Sequence, residues 1–358
     1  MKRWDALIAV CGYLRSGLLG GEAGELPHEL PWELLVEASS YHALTPALAW
    51  CLKDRTELPA EVRDYFSTML ALNAKRNDAL AAALVRVVAA CNAIGIQPVP
   101  LKGAARLVED TYPAPSLRFL GDLDVLIPAE RSADLVAALD ATGFRADASE
   151  TALPPSHHHL PMLHDREKGG GVELHIDVLN GDGGDVIATD WFAAGTRPVP
   201  FADLRIRLPD ATRSVGHIVA HDQLQHRGYW DRKVELRQVL DLAMIRMAHA
   251  PEIDWSALDD RFCRAGLGEV LPTYLAMTEA LLGQPAPRLS HSPRPGAIDS
   301  FRRVVEAGRL RRLALTVAGH LASSGRSPRS AREWLALRKW PGRIRLVIKA
   351  LRQNAWSR

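Results

Sequence analysis

Apolar residues recur at helical spacing through most of the first hundred positions. WELLVEASSYHALTPALAWCL carries them every three to four residues, and VRDYFSTMLALNAKRNDALAAALVRVVAACNAIG is an Ala/Leu-rich run without proline. This predicts helix over residues 31 to 95, with Gly95 as the stop. At the start of the chain Asp5 and Arg15 interrupt a mild apolar run, which predicts an amphipathic helix rather than a secretory leader.

The period then shortens. IQPVPL reads as a short extended segment, KGAARLVEDTY as a short helix, and Pro113 and Pro115 as a loop. LDVLI, closed by Pro128, reads as a strand. Residues 129 to 141 read as a helix, and GFRAD after it starts another strand. HHHLPMLHD and GVELHIDVL flank the turn-forming REKGGG and predict a β-hairpin. Residues 214 to 249 return to helical spacing, and a Pro/Ser/Arg-rich linker follows Pro285. The expected fold class is α+β, a small mixed β-sheet core flanked by N-terminal and C-terminal helical regions. The divisions expected are a helical region (1–94), the α/β core (95–210), helices packed on the core (211–284), and a linker with basic helices (285–358).

With 358 residues and 47% hydrophobic content the chain can bury a substantial core, and length alone suggests about two domains. It holds no apolar run of the roughly 18 to 20 residues that span a membrane. Cys11, Cys51, Cys91 and Cys263 lie far apart and fit no CxxC or zinc spacing, so free thiols in a reducing cytoplasm are expected. The net charge of +2 conceals an asymmetry: from Phe301 onward there are 15 Lys and Arg against two acids, and the rest of the chain is acidic. Such a basic region suits RNA, an acidic peptide or an anionic membrane surface, or else is the solvated face of helices resting on the acidic body.

The predicted strand in RFLGDLDVLI carries Asp122 and Asp124. Aspartate is a poor strand former, and residues two apart on a strand share a face about 6.5 to 7 Å apart. Two carboxylates so placed repel each other unless they converge on a cation or point to solvent. A divalent ion such as Mg²⁺ needs only one or two of them, with water and phosphate completing its shell. Upstream, LKGAA places Lys102 and Gly103 at a strand-to-helix junction that suits phosphate. Arg118 is a candidate for a phosphate oxygen, or an ion-pair partner of one of the aspartates. Downstream, VELHIDVL alternates Glu173, His175 and Asp177 with apolar residues, so one strand face carries three ionisable groups. Glu173 or Asp177 could supply a third ligand or take a proton from an attacking hydroxyl.

LKGAARLVEDTYPAPSLRFLGDLDVLIP followed by VELHIDVL resembles the uncharacterised nucleotidyltransferase family of the polymerase-β-like superfamily. The resemblance runs from about Trp32 through LNAKRND to VLDLAMI. It implies a glycine turn opening a helix at Gly103, a metal-holding pair at Asp122 and Asp124, and a third acid on a later strand. That acid is Glu173, with Asp177 competing. It further implies Mg²⁺ or Mn²⁺ as cofactor, an NTP as substrate, an acceptor of unknown nature and release of pyrophosphate. One departure is Ala104, where the superfamily often has a phosphate-binding serine. Lys102, Arg118 and backbone N–H groups would then carry the phosphates. The departure keeps open a binding or scaffold protein that retained the fold, and transfer of the γ-phosphate is a third reading.

His157, His158, His159 and His164 precede VELHIDVL and some would face His175 across the hairpin. Adjacent histidines on a strand point to opposite faces, which argues against one zinc site; His159 or His175 binding nucleotide or orienting the acids is expected instead. His217 and His221, four apart on a helix, read as packing or site-lining residues. Arg237 and Asp241, also four apart, read as an intrahelical ion pair.

Overall fold

The computed structural model describes residues 2–22, 31–56, 58–146, 157–166 and 170–307. In chain order the first elements are α1 (Arg3–Leu18), α2 (Trp32–Tyr41), α3 (Thr45–Leu52), α4 (Ala60–Ala93), β1 (Val99–Pro100), α5 (Lys102–Arg106), β2 (Leu123–Leu126), α6 (Ser132–Asp140) and β3 (Phe144–Ala146). Then come β4 (Leu163–Asp165), β5 (Gly171–His175), α7 (Gly181–Val186), α8 (Thr189–Ala194), β6 (Thr196–Phe201), β7 (Leu204–Pro209) and α9 (Ala211–Ala220). The last are α10 (Gly228–Asp231), α11 (Leu236–His249), α12 (Trp255–Arg264), α13 (Val270–Leu282) and α14 (Ala297–Glu306). The fold is α+β, as the periodicities predict.

Five strands form one sheet in the order β1-β2-β5-β4-β3, and β6 and β7 form a separate ribbon. Within the sheet β2 and β5 are parallel, whereas β1–β2, β5–β4 and β4–β3 are antiparallel. The β4–β5 pairing is the hairpin expected around REKGGG. Leu123 and Val125 of β2 and Val172 and Leu174 of β5 lie in a core cluster with Leu84 and Val87 of α4 and Leu135 and Leu139 of α6. The alternate residues of β2 therefore face away from α4 and α6. Leu126 on that side joins a second, larger cluster formed mainly by helices.

Several expected boundaries shift. Helix α1 is buried almost all round, not on one face, with Leu7, Val10, Cys11 and Leu14 each about 1% exposed. The helix opened by LKGAA stops at Arg106, whose guanidinium reaches forward to donate to Thr111 Oγ1 at 3.0 Å and pair with Glu109 at 2.7 Å. The helix expected over 214–249 is interrupted. After α9 a π-helical turn runs over His221–Gln225, and Arg227 and Arg232 take φ of +62° and +57°. The Asp222 carboxylate accepts the Glu235 N–H and closes this detour. Gly228 is required there, since a Cβ would lie 2.6 to 2.8 Å from Gln223 and the carbonyls of Lys233 and Asp222. No helix among the described residues is long and apolar enough to cross a membrane. The basic region falls almost wholly outside the described residues, which end at Ala307.

Candidate active site

The long helix α4 builds the approach to β2. Asn73 and Asn77, one turn apart and buried, donate to backbone carbonyls of the segment ahead of the strand. Asn73 Nδ2 reaches Ser116 O at 2.7 Å; Asn77 Nδ2 reaches Pro115 O at 2.7 Å and Arg118 O at 2.8 Å. From the other side Asp241 of α11 holds Arg118. Nε lies 2.9 Å from Oδ1 and Nη2 lies 2.7 Å from Oδ2, and the Tyr112 hydroxyl donates to Oδ1 at 2.7 Å. The third guanidinium nitrogen donates to Phe119 O. Burial disfavours charge on Arg118, but Asp241 outweighs it and holds the guanidinium above its usual range. Arg118 is thus turned to Asp241 instead of Asp122 or Asp124. The expected Arg237–Asp241 pair is corrected as well: Asp241 is taken by Arg118 and Tyr112, and Arg237 lies 3.6 Å from Glu235.

The acids meet through strand register. Asp124 pairs with Glu173 across the parallel β2–β5 ladder, and both point away from α4. His175, two residues on, shares that face and is fully buried. Its Nε2 donates to Asp124 Oδ1 at 2.9 Å, leaving Nδ1 buried without a partner. One ligand atom from each of Asp124, Glu173 and His175 lies within 4.8 Å of the others. Asp122 sits just ahead of β2, half-buried, and its charge is felt by Asp124 and Glu173. Asp177 is absent from this group. The strand ends at His175, so the alternation lapses, and the exposed Asp177 accepts the Thr189 hydroxyl at 2.8 Å.

Lys102 closes the group. Leu101 N donates to Asp124 O at 2.9 Å, extending the β1–β2 ladder and setting the next residue beside the acids. Lys102 has φ of +47°, uncommon for a residue with a Cβ, and its Nζ lies 2.8 Å from Asp124 Oδ1. Burial would raise the Asp124 carboxyl, but Lys102 and His175 hold it well below the usual range. Burial and the Asp124 charge push the carboxyls of Asp122 and Glu173 up. Three carboxylates against one ammonium leave negative charge that a divalent ion would neutralise, and the oxygen donors suit Mg²⁺ or Mn²⁺.

Gly103 and Ala104 serve packing. A Cβ at Gly103 would lie 3.0 Å from Leu120 and 3.3 Å from the Arg118 guanidinium, and Ala104 is buried in the core cluster beneath the sheet. The histidines also differ from expectation. His157, His158 and His159 do not alternate: their ring centroids lie 4.2 to 4.9 Å apart, outside any regular strand, with His159 bridged to His175. His159 Nε2 lies 3.8 Å from Glu173 Oε2. His217 packs on Phe192 and, with Lys102, lines a small hollow beside Asp241.

The family model described as uncharacterised nucleotidyltransferase matches residues 28–283. The chain belongs to the uncharacterised nucleotidyltransferase family. No curated protein and no solved structure matches it. In this member of the family the matched span holds α4, the Asp122–Asp124 segment, Glu173 and Asp241 together, that is, the acids and the two helices that hold the approach to them.

The supports Asn73, Asn77 and Tyr112 carry little signal in the sequence. The i, i+4 asparagines inside LNAKRND are the only sequence cue, since two amides on one face of an otherwise Ala/Leu-rich helix need buried partners.

Proposed function

We propose that this protein transfers a nucleoside monophosphate from an NTP to an acceptor hydroxyl and releases pyrophosphate. The observation that carries the reading is the register that sets Glu173 directly beside Asp124, with Asp122 two residues upstream. Asp122, Asp124 and Glu173 would hold Mg²⁺ or Mn²⁺. Bound there, the ion supplies charge neutralisation at the phosphates. His175 fixes the Asp124 carboxylate through Nε2. Lys102, already at the acids, moves its ammonium between Asp124 and the phosphates. Arg118, its donors committed to Asp241 and Phe119, contributes positive potential and fixes the approach to β2. Gly103 keeps the junction close-packed.

In the transfer step the acceptor oxygen bonds to the α-phosphorus as the bond to the pyrophosphate oxygen breaks. Glu173 takes the acceptor proton. His159, 3.8 Å from the Glu173 carboxylate, orients it. In-line placement and fixed charge supply most of the rate. The acceptor is a small molecule, a peptide or an RNA, and the basic region after Phe301 favours an anionic one.

The test uses each α-labelled NTP with Mg²⁺ and candidate acceptors, following pyrophosphate and labelled product. Transfer is expected in the wild type and lost in the Asp122→Asn/Asp124→Asn double variant. Transfer at wild-type rate in that variant overturns the reading. Release of a nucleoside diphosphate instead assigns γ-phosphoryl transfer, and absence of metal-dependent NTP binding assigns a scaffold.

A further inference from the structure

A second cluster of metal-binding side chains lies on other elements. Asp259 and Cys263 are four residues apart on α12, so they share one face of the helix. His291 comes from the irregular segment 283–296 between α13 and α14. Its Nδ1 lies 3.4 Å from Cys263 Sγ, and Sγ lies 3.8 Å from Asp259 Oδ1. One ligand atom from each of the three lies within 4.8 Å of the others. A tetrahedral zinc with Zn–S of about 2.3 Å and Zn–N or Zn–O of about 2.0 to 2.1 Å spaces its ligand atoms roughly 3.5 Å apart. The two contacts at sulfur straddle that spacing.

Two further features fit a built site. Asp259 is buried, and its second oxygen accepts the Ser290 N–H at 2.7 Å, the kind of outer hydrogen bond that orients a ligating carboxylate. Gly268 leaves the room His291 occupies: a Cβ there would lie 2.7 Å from the imidazole ring. Elsewhere the segment is tied by Arg246 donating to the Gln284 and Pro285 carbonyls, by Ala286 N donating to Glu279, and by Arg294, whose N reaches Thr273 Oγ1 at 2.8 Å and whose Nη1 reaches Tyr229 O at 2.8 Å; around His291 itself the contacts are those of Asp259 and Cys263.

We propose that Asp259, Cys263 and His291 bind a borderline-soft divalent cation, zinc foremost, which fastens segment 283–296 to α12. Sulfur, imidazole nitrogen and carboxylate oxygen together suit Zn²⁺ over Mg²⁺. His291 is exposed, so water takes the fourth position. As the metal–sulfur bond forms, the thiol proton leaves to solvent. Charge then balances: thiolate and carboxylate against the ion. The fastened segment leads into α14, whose Phe301 packs edge-on against Trp4 of α1 at 5.8 Å, so the site steadies the last described helix. Sequence spacing hides this site, because 28 residues separate Cys263 from His291.

The experiment strips the full-length protein with chelator and titrates it with Co²⁺, then Zn²⁺. One equivalent of Co²⁺ should give the thiolate-to-cobalt charge-transfer absorption, and Zn²⁺ should abolish it. Cys263→Ser should lose the band. His291→Ala, at an exposed position, should weaken Co²⁺ binding at least tenfold while the far-UV circular dichroism and melting temperature without metal stay as in the wild type. Asp122→Asn/Asp124→Asn should leave the band intact, which separates this site from the acids of β2. No band in the wild type, a band that persists in Cys263→Ser, or unchanged affinity in His291→Ala overturns the proposal.

Discussion

The Lys102 ammonium lies 2.8 Å from Asp124 Oδ1, the same oxygen that accepts the His175 N–H at 2.9 Å. A lysine at positive φ is thus held where a divalent ion would also be drawn. Under the proposed function, metal-bound nucleotide would share Asp124 with Lys102 or move the lysine toward the phosphates.

That arrangement predicts a split between two variants. Asp124→Asn removes the centre of the group and should abolish transfer. Lys102→Met should lower the rate by about 10² to 10³, the usual loss for one charge that stabilises a transition state. It should also leave divalent-ion affinity equal or higher, since the ion no longer competes with an ammonium. Isothermal titration with Mn²⁺ beside the rate measurement checks both. A Lys102→Met protein with weaker ion binding contradicts the sharing.

Asn77→Ala should destabilise the fold by about 1 to 3 kcal/mol, because it strips the Pro115 carbonyl of its Asn77 partner and leaves the Arg118 carbonyl only the longer bond from Asn73, in a closed environment. Transfer should fall too, as the segment ahead of Asp122 loosens. Urea unfolding gives the first quantity. A neighbouring exposed position, Leu72→Gln, serves as the neutral control.

Asp241→Ala strands the buried Arg118 guanidinium and the Tyr112 hydroxyl. The expected cost is about 3 to 5 kcal/mol, typical of a buried pair that loses one partner. A thermal melt with an undiminished midpoint would show that Arg118 finds solvent or another acid.

Asp222 predicts a pH dependence of stability. Burial, with the Glu235 charge, pushes its carboxyl up from 3.8 to about 7. The folded state then binds more protons than the unfolded one between these values, so stability falls as pH rises through this window. The loss amounts to roughly 4 kcal/mol at most. Asp222→Asn keeps an oxygen for the Glu235 N–H and removes the ionisation. Its melting temperature should gain on the wild type as pH rises from about 4 to 7 and hold that gain above it; parallel curves would contradict the assignment.

Much of the site is legible along the chain because strand geometry is local. Asp122 and Asp124 two apart, the LKG junction and the acid-His-acid alternation mark β1, β2 and β5 and the side that bears the acids. The same local rule misleads where strands end early. It places Asp177 with Glu173 although β5 stops at His175, and it separates His157, His158 and His159 although they lie off the regular ladder. It also assigns Asp241 to Arg237, the neighbour on its own helix, when a better bidentate partner arrives from Arg118.

The sequence by itself determined the helix and strand periods, the α+β class, the pair of aspartates and the family, since these follow from side-chain spacing and local motif. Only the tertiary structure decided that Glu173 stands beside Asp124, that Arg118 is spent on Asp241, and that Cys263 meets His291. The physical reason is the range of the interactions. Backbone geometry fixes which residues share a face within a few positions, whereas partners 28 to 123 residues apart meet through sheet order and helix packing.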